Sequence, residues 1–167
     1  ITLEEKKFRI KNLELFKTVG FPNKRHEDWK FSDFRNIVDT NFNTLDAKKV
    51  LSISKKIDLL EDFEHNYIFL INGNLHSSNF NYEKKEKIKI NFYDKSFEHK
   101  ISDNPMICLN HALAENGYSL EIEKDYKFKK IVVIYNLYTK NLENKILNNK
   151  NKIKLKENSE LHVMDYT

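Results

Sequence analysis

The sequence contains few of the residues that cross-link a chain or interrupt its regular structure. Its 167 residues include three glycines, two prolines and one cysteine, Cys108. A single cysteine cannot form an internal disulfide, which excludes a disulfide-stapled fold and favours a reducing compartment such as the cytoplasm. The three glycines are isolated from one another, which excludes a glycine-rich phosphate-binding loop.

Long apolar runs and blocks of like charge are also missing. The longest apolar runs, 67–71 and 131–135, are far shorter than the roughly 20 residues of a membrane-spanning helix. Residues 1–17 are charged, so we expect no signal peptide in them. The 29 basic and 25 acidic residues leave a net charge of +4 but are interleaved, which favours a solvated surface over a membrane or nucleic-acid partner.

Residues 20–34 are the most informative stretch. Gly20 and Pro22 interrupt the backbone, because glycine adopts positive φ and proline cannot continue a helix. Basic and acidic pairs then alternate with three aromatic residues, Trp29, Phe31 and Phe34. We predict a structural clamp whose aromatic side chains pack on a core while its charges pair with one another or with a partner.

The first two thirds of the chain predict helices and one hairpin. Thr2 and Glu5 have the spacing of a capping box before a helix that spans Leu3–Val19 and stops at Gly20. A second helix is expected near residues 45–53. A hairpin is expected around Asn72-Gly73, the preferred pair for a type I′ turn, followed by a strand over residues 88–92. Asp103-Asn104-Pro105 predicts the start of another helix that ends at Gly117.

From Tyr118 onward the pattern changes to short strands. We expect them at residues 118–122, 130–137, 152–155 and 160–166, with polar connections and a turn at Asn158-Ser159. Periodicity alone leaves a meander, a sandwich and a solenoid open, and no strict internal repeat is visible. We therefore divide the chain into an N-terminal α+β region, residues 1–116, and a β-rich region, residues 117–167.

The stretch at 20–34 resembles the N-terminal region of the SufD family of iron–sulfur cluster assembly proteins. The matching positions are Gly20, Pro22, Arg25, Glu27, Asp28, Trp29 and Lys30. Residues 67–73, which end in Asn-Gly, and residues 109–117, Leu-Asn-His-Ala-Leu-Ala-Glu-Asn-Gly, are similar to two further blocks of the family in the same order.

This resemblance implies a fold and a role. The fold is a helical N-terminal region with a hairpin, followed by the first coils of a right-handed parallel β-helix. The role is that of a non-catalytic scaffold, which pairs with its paralogue SufB and is driven by the ATPase SufC while a transient iron–sulfur cluster is built and passed on. SufB itself, which shares the solenoid, is the nearest alternative.

The resemblance also limits what is carried over to this chain. Ile1 is not a methionine and Thr167 lies in an apolar-alternating segment, so we expect a fragment of a family whose proteins are longer. We expect such a fragment to bind the ATPase poorly and to self-associate through an open strand edge. We carry over no catalytic or cluster-ligand residue.

Cys108 and His111 are the one pair with metal-ligand spacing. At positions i and i+3 they share a helix face, and one ion could lie between them. A zinc site needs three or four protein ligands, however, and the chain has no second cysteine. A buried thiol and a hydrogen-bonded histidine are the stronger interpretation, so we assign no metal site and no resident cofactor.

Acidic residues offer two further patterns. His26-Glu27-Asp28 lacks the second histidine of a metalloprotease motif, and we expect its carboxylates to form ion pairs with neighbouring bases. Glu121, Glu123 and Asp125 are spaced i, i+2 and i+4 and would share one strand face if the strand extends that far. Clustered carboxylates on one solenoid face are what a β-helix enzyme acting on polysaccharide needs, and such an enzyme is a further alternative. We expect this second set to be solvated.

Aromatic residues leave a nucleic-acid-binding module open as an alternative. Stacking platforms for bases would come from Tyr82, Phe92, Tyr93 and Phe97. The mixed charges and the lack of a recognisable RNA- or DNA-binding motif weigh against this alternative.

Overall fold

The chain has an α+β fold, as the sequence predicts. The computed structural model describes residues 2–24, 29–31, 34–42, 59–92, 102–142 and 144–167. It divides into two compact units. The helical unit comprises residues 1–47, 94–115 and 142–150, and the sheet unit comprises residues 48–93, 116–141 and 151–167. The helix predicted near residues 45–53 lies outside the described residues.

The helical unit contains α1 (Leu3–Val19), α2 (Phe34–Asn41) and α3 (Pro105–Leu113). The start and end of α1 confirm the sequence prediction: the Thr2 hydroxyl accepts a hydrogen bond from the Glu5 N–H at 3.1 Å, and Gly20 caps the helix at φ 75°. Sequence reasoning missed α2, a short helix of eight residues whose Val38 is buried. None of the described helices is long and apolar enough to cross a membrane.

The predicted start of α3 is confirmed, but its predicted end is wrong. The Asn104 side chain accepts hydrogen bonds from the N–H groups of Met106 and Ile107, and Pro105 occupies the first turn. The predicted stop at Gly117 is wrong, because Ala114 already caps the helix with extended backbone. α1 and α3 pack around a small apolar core formed by Phe16, Cys108 and Leu109 with Leu15, Phe21 and Leu113.

Seven strands lie in the described part of the sheet unit. They are β1 (Asn66–Ile71), β2 (Asn74–Asn79), β3 (Ile88–Phe92), β4 (Tyr118–Ile122), β5 (Val132–Leu137), β6 (Lys152–Leu155) and β7 (Val163–Tyr166). They form two mixed sheets, in the orders β2–β1–β5–β7 and β3–β4–β6. The predicted hairpin is confirmed as β1 and β2, joined by Asn72 and Gly73 with φ of 49° and 73°.

Parallel pairing relates the strands that follow Tyr118. β4 pairs with β6 so that each residue faces the one 33 positions later, and β5 pairs with β7 at an offset of 31. β4 and β5 are neighbours in sequence but belong to different sheets. This arrangement excludes an up-and-down antiparallel meander for these four strands.

One apolar core lies between the two sheets. It combines inward-facing residues of β1, β4 and β5 with Phe80 and Tyr126. A smaller cluster of Phe69, Ile71, Val133 and Tyr135 covers the opposite face of the larger sheet. Because β1 and β5 are buried on both faces, they contain continuous apolar runs instead of alternating patterns.

Candidate functional site

The stretch at 20–34 packs on the helical unit through its apolar residues. Pro22 is fully buried. Phe21 meets Phe16 of α1 edge-on at 5.0 Å between ring centroids and lies 5.8 Å from Phe34 of α2. Trp29 extends this aromatic chain, with its ring 5.5 Å from that of Phe34.

The prediction for Phe31 is wrong, and the prediction for the charged residues of the clamp is not tested. Instead of packing on the core, the Phe31 side chain is 93% exposed, and the Lys30 ammonium lies over its ring at 5.9 Å. Arg25, Glu27 and Asp28 lie outside the described residues. Charge pairing within the clamp therefore stays a prediction.

Arg9 forms a long-range contact that sequence reasoning missed. Its Nε donates to the Glu5 carboxylate at 3.1 Å, and both groups are nearly buried. Its two terminal nitrogens donate to the carbonyl oxygens of Ala112 at 3.2 Å and Ala114 at 2.7 Å. Arg9 thus ties α1 to the C-terminal end of α3, where helix carbonyls lack partners. Only the Glu5–Arg9 spacing of i, i+4 gave any hint of this role.

Cys108 and His111 each have a protein partner. The Cys108 thiol is buried and donates to the Ser102 carbonyl at 3.1 Å, and burial together with the charge of Asp103 raises the pKa of this thiol. The His111 Nδ1 lies 2.9 Å from the Lys150 ammonium. Among the described residues, no three His, Cys, Asp or Glu side chains are grouped to hold a metal ion.

A charge ladder runs across the smaller sheet, formed by Lys89, Glu121, Glu123, Lys154 and Lys156. Lys89 of β3 lies 3.4 Å from the Glu123 carboxylate. Lys156, just after β6, contacts Glu121 at 2.9 Å and Glu123 at 2.8 Å, and Lys154 lies 3.6 Å from Glu121. The sign of the charge therefore alternates from β3 to β4 to β6.

The same 33-residue offset continues past the strands. Lys124 pairs with Glu157 at 2.6 Å, and Lys127 pairs with Glu160 at 3.0 Å beside a parallel backbone bridge. Asp125 and Asn158 both adopt left-handed backbone, and the Asn158 amide donates to the Asp125 carboxylate at 2.9 Å. Residues 119–128 and 152–161 thus share three apolar positions, 120/153, 122/155 and 128/161, while four charged positions reverse sign. The buried Tyr126 corresponds to a serine, Ser159. Because the two segments share few identical residues, a repeat of identity does not reveal this complementarity.

The carboxylates of the ladder are held ionised. The hydrogen bond from Lys156 lowers the pKa of Glu121 and of Glu123, and these two carboxylates in turn raise the pKa of Lys156. A glycoside hydrolase typically uses one carboxyl group that stays protonated as a general acid, and a lowered pKa does not suit Glu121 or Glu123 to that role. Asp125 does not lie on the strand face of Glu121 and Glu123. β4 ends at Ile122, and Asp125 lies in the turn that follows.

The aromatic platforms of the nucleic-acid hypothesis are described only in part. Phe92 is exposed, and the Lys130 ammonium lies over the ring of Tyr82 at 5.9 Å. Tyr93 and Phe97 lie outside the described residues. Whether the four rings share one face therefore stays a prediction.

Glu83 is a buried carboxylate that sequence reasoning also missed. It accepts hydrogen bonds from the Tyr126 hydroxyl at 2.8 Å and the Asn66 amide at 3.0 Å. The backbone N–H groups of Lys129 and Lys130 donate to it at 3.0 Å and 3.1 Å. Burial acts to raise the pKa of Glu83, but these hydrogen bonds outweigh it and lower the pKa. Glu83 thus joins β1 to the segment that leads into β5.

The depressed pKa of Glu83 is expected to make the sheet unit less stable in acid. Its stabilising contribution is complete above the carboxyl pKa of the unfolded chain, about 4.3, and is lost as pH falls through the lower pKa of the folded state. We expect Glu83→Gln to flatten this loss when the free energy of unfolding is measured between about pH 7 and pH 3. Parallel curves for the two proteins would show that the carboxylate contributes nothing to the acid response.

A shallow groove of about 360 Å³ lies beside the hairpin. It is lined by Tyr67, Ser78, Asn79, Phe80, Asn81, Lys85, Ile88 and Ile90. Lys85 and Tyr67 are its titratable groups, so it contains no carboxylate pair or nucleophile with an adjacent base. The stacked strands and their charge ladder are the stronger candidate for function, as a surface for assembly. Comparison of the chain with protein-family models and with curated proteins finds no match.

Proposed function

We propose that this chain is a SufD-like scaffold subunit of a cytoplasmic complex that assembles and transfers iron–sulfur clusters. The proposal rests first on the sequence resemblance, which includes Gly20, Pro22 and Trp29 and the blocks at 67–73 and 109–117. The block at 67–73 forms β1 and its Asn-Gly turn, and the block at 109–117 includes the end of α3. The cluster is the cargo of such a complex, and we assign it no ligand in this chain.

The observation that carries the proposal is the parallel stacking of β4 on β6 and of β5 on β7. The turns between the strands stack too: the Lys156 N–H donates to the Ile122 carbonyl, and the Glu160 N–H donates to the Tyr126 carbonyl, both at 3.1 Å. Two successive chain segments thus follow the same path at a near-constant offset. This is how the coils of a parallel β-helix are related, and we propose that these segments are the first coils of a right-handed one.

Stacked coils suit a scaffold because backbone hydrogen bonds and apolar side chains join each layer to the next. Such a body offers a long side surface for pairing with a related protein without any catalytic residue of its own. The expected partners are a SufB-like paralogue and, through it, a SufC-like ATPase.

Co-purification tests the proposal. The tagged chain is expressed with the SufB-like and SufC-like proteins of the same organism, and the complexes are resolved by size-exclusion chromatography with light scattering. We expect the chain to elute with the SufB-like protein and to bind the ATPase poorly when it is the only partner. Elution apart from the SufB-like protein would overturn the proposal, as would tight binding to an oligonucleotide with a steep salt dependence.

A further inference from the structure

The groove beside the hairpin lies at one end of the stacked strands. It is bordered by β2 and β3, and these are the outermost strands of their sheets on the side away from β7 and β6. Both strands precede Tyr118 in the chain. The groove is therefore not the surface on which a further coil would stack, and its borders do not depend on β6 or β7.

The floor of the groove is apolar. Phe80 is buried in the core between the two sheets, while Ile88 and Ile90 pack against this core and stay partly exposed. The volume of about 360 Å³ lies near the lower end of the range for ligand sites. Because the groove is also shallow, it suits one apolar side chain of a larger ligand better than a small molecule that must be enclosed.

The rim of the groove is positively charged. Lys85 is exposed and lines the groove, and Lys84 and Lys87 lie in the same short turn. None of these three lysines forms an ion pair with another residue that the structure describes, in contrast to the lysines of the charge ladder. Since Glu86 is the only acid in this turn, charge complementarity favours an acidic ligand.

Hydrogen-bond donors line the groove together with Lys85. The oxygen of the Asn79 side chain accepts the Asn81 N–H at 2.8 Å, which leaves the Asn79 amide nitrogen as a donor. Ser78 and Asn81 also line the groove and supply a hydroxyl and a second amide. Because a carboxylate accepts hydrogen bonds from all of these groups, the rim suits carboxylates above an apolar floor.

β2 borders the groove with an unpaired edge. It pairs with β1 on one side, and no strand among the described residues pairs with its other side. The register shifts at His76, so the regular part of β2 is Ser77–Asn79, which leads along the groove. Strand edges are commonly protected by charged residues or proline, and β2 has neither. Its outward backbone N–H and C=O groups are thus available to an added strand.

We propose that the groove docks an extended acidic segment of a partner protein. The segment adds to the β2 edge, inserts one apolar side chain between β2 and β3, and places carboxylates beside Lys85. In this mode of recognition, backbone hydrogen bonds supply affinity and the side-chain pocket supplies specificity. The proposal does not depend on the scaffold role, because docking of the segment is measured on the chain alone.

The β2 strand of a second copy of the chain does not meet these requirements. β2 contains no carboxylate, so pairing of two β2 edges would bring no acid from either strand to Lys85. An acidic segment of another protein is therefore the better occupant of the groove.

The probe is a synthetic peptide with blocked ends, Thr-Glu-Thr-Leu-Thr-Glu-Thr. In an extended strand its leucine and both glutamates share one face, and the symmetric order allows parallel or antiparallel addition to β2. One control peptide has lysines in place of both glutamates, and another has serine in place of leucine. Each peptide is titrated into the nitrogen-15-labelled chain while the amide chemical shifts are followed by NMR.

We expect the glutamate peptide to cause saturable shifts at residues 77–81 and 85–90, which border the groove. The lysine peptide should bind about fivefold more weakly, because attraction to the basic rim becomes repulsion. The serine peptide should bind about tenfold more weakly, because no apolar side chain covers the floor. High salt should reduce the first difference and leave the second, since only charge interactions are screened.

Lys85→Glu tests the charge of the rim. Lys85 is exposed and forms no ion pair with a described residue, so we expect the fold to be retained. The glutamate peptide should bind this variant about fivefold more weakly, and the lysine peptide should gain by a similar factor. Lys140→Glu is the matched control, because Lys140 is an exposed lysine of the sheet unit that does not line the groove. It should change each affinity by less than about twofold.

Several outcomes would overturn the inference. They are no saturable binding of the glutamate peptide, equal binding of the three peptides, equal effects of the substitutions at Lys85 and Lys140, and tighter binding of an oligothymidylate at the groove than of the glutamate peptide. None of them bears on whether the chain elutes with a SufB-like protein, so failure of this inference and failure of the proposed function can be told apart.

Discussion

Replacement of Glu83 by alanine is expected to destabilise the sheet unit by about 3–5 kcal/mol. The carboxylate receives hydrogen bonds from Tyr126, Asn66 and the N–H groups of Lys129 and Lys130. Removing it leaves several buried donors without an acceptor, and each unsatisfied donor costs about 1–3 kcal/mol where water cannot replace the lost partner. The effect should appear as faster amide exchange in β1 and β5.

Glu86→Ala is the matched control for this change. Glu86 is only three residues away but is exposed, so its removal should change the free energy of unfolding by no more than about 0.5 kcal/mol. Similar effects of the two substitutions would mean that the Glu83 network does not organise the sheet unit. Hydrogen exchange is the measurement of choice, because a chain of two units need not unfold in one step.

Replacement of Arg9 by methionine is expected to destabilise the helical unit by about 3–5 kcal/mol. Methionine keeps much of the packing of the side-chain stem but removes every hydrogen bond of the guanidinium. The Glu5 carboxylate would remain buried without a countercharge, and the carbonyls of Ala112 and Ala114 would lose their donor. Denaturant unfolding followed by the fluorescence of Trp29 reports on this unit.

The same substitution at Arg35 tests whether burial is the cause. Arg35 also pairs with an acid four residues away, Asp39, at 3.8 Å, but both side chains are exposed. Exposed ion pairs contribute little, so Arg35→Met should cost about 0.5 kcal/mol or less. If Arg9→Met costs no more than this control, the buried contact between α1 and α3 is not what holds the helical unit together.

Local signals in the sequence predicted the features that depend on a few neighbouring residues. Thr2 and Gly20 bound α1, Asn104 starts α3, and Asn72-Gly73 forms the hairpin turn, because the responsible side chain and backbone group lie within a few positions. The end of α3 was misjudged because Gly117 suggested a glycine cap and Ala114 gave no signal. The short helix α2 is amphipathic, with Phe34, Ile37 and Val38 at helical spacing, but eight residues are fewer than the roughly 11–18 over which such spacing distinguishes a helix.

Contacts between distant positions could not be predicted in the same way. Arg9 meets Ala114 across 105 positions, and Glu83 meets Lys130 across 47, and no local pattern distinguishes these residues from the many other charged ones. Their importance comes from burial, which only the assembled fold shows. The clamp at 20–34 is intermediate, because Pro22 and the aromatic residues predicted packing but not which rings would be buried.

The sequence predicted the positions of the strands after Tyr118 but not which of them pair. Each strand was predicted from its own residues, whereas periodicity left the pairing of the strands open and only the resemblance implied parallel stacking. The structure supplies the partners, β4 with β6 and β5 with β7. A comparison that scored opposite charges at a fixed offset would have found the relation, since Glu121, Glu123, Lys124 and Lys127 face residues of opposite sign 33 positions later. Opposite charges at a fixed offset therefore indicate which strands stack on one another, even where the two segments share few identical residues.

The most direct test of the stacked-coil account is disulfide formation in Lys127→Cys/Glu160→Cys. These positions form a parallel backbone bridge, which places them within the range of a disulfide. Cys108 can stay, because its thiol is buried and hydrogen-bonded. Under mild oxidation we expect the 127/160 pair to cross-link nearly completely in the folded chain, and Lys124→Cys/Glu160→Cys, three positions out of register, to stay reduced. A disulfide in the second variant and none in the first would contradict parallel stacking at this offset.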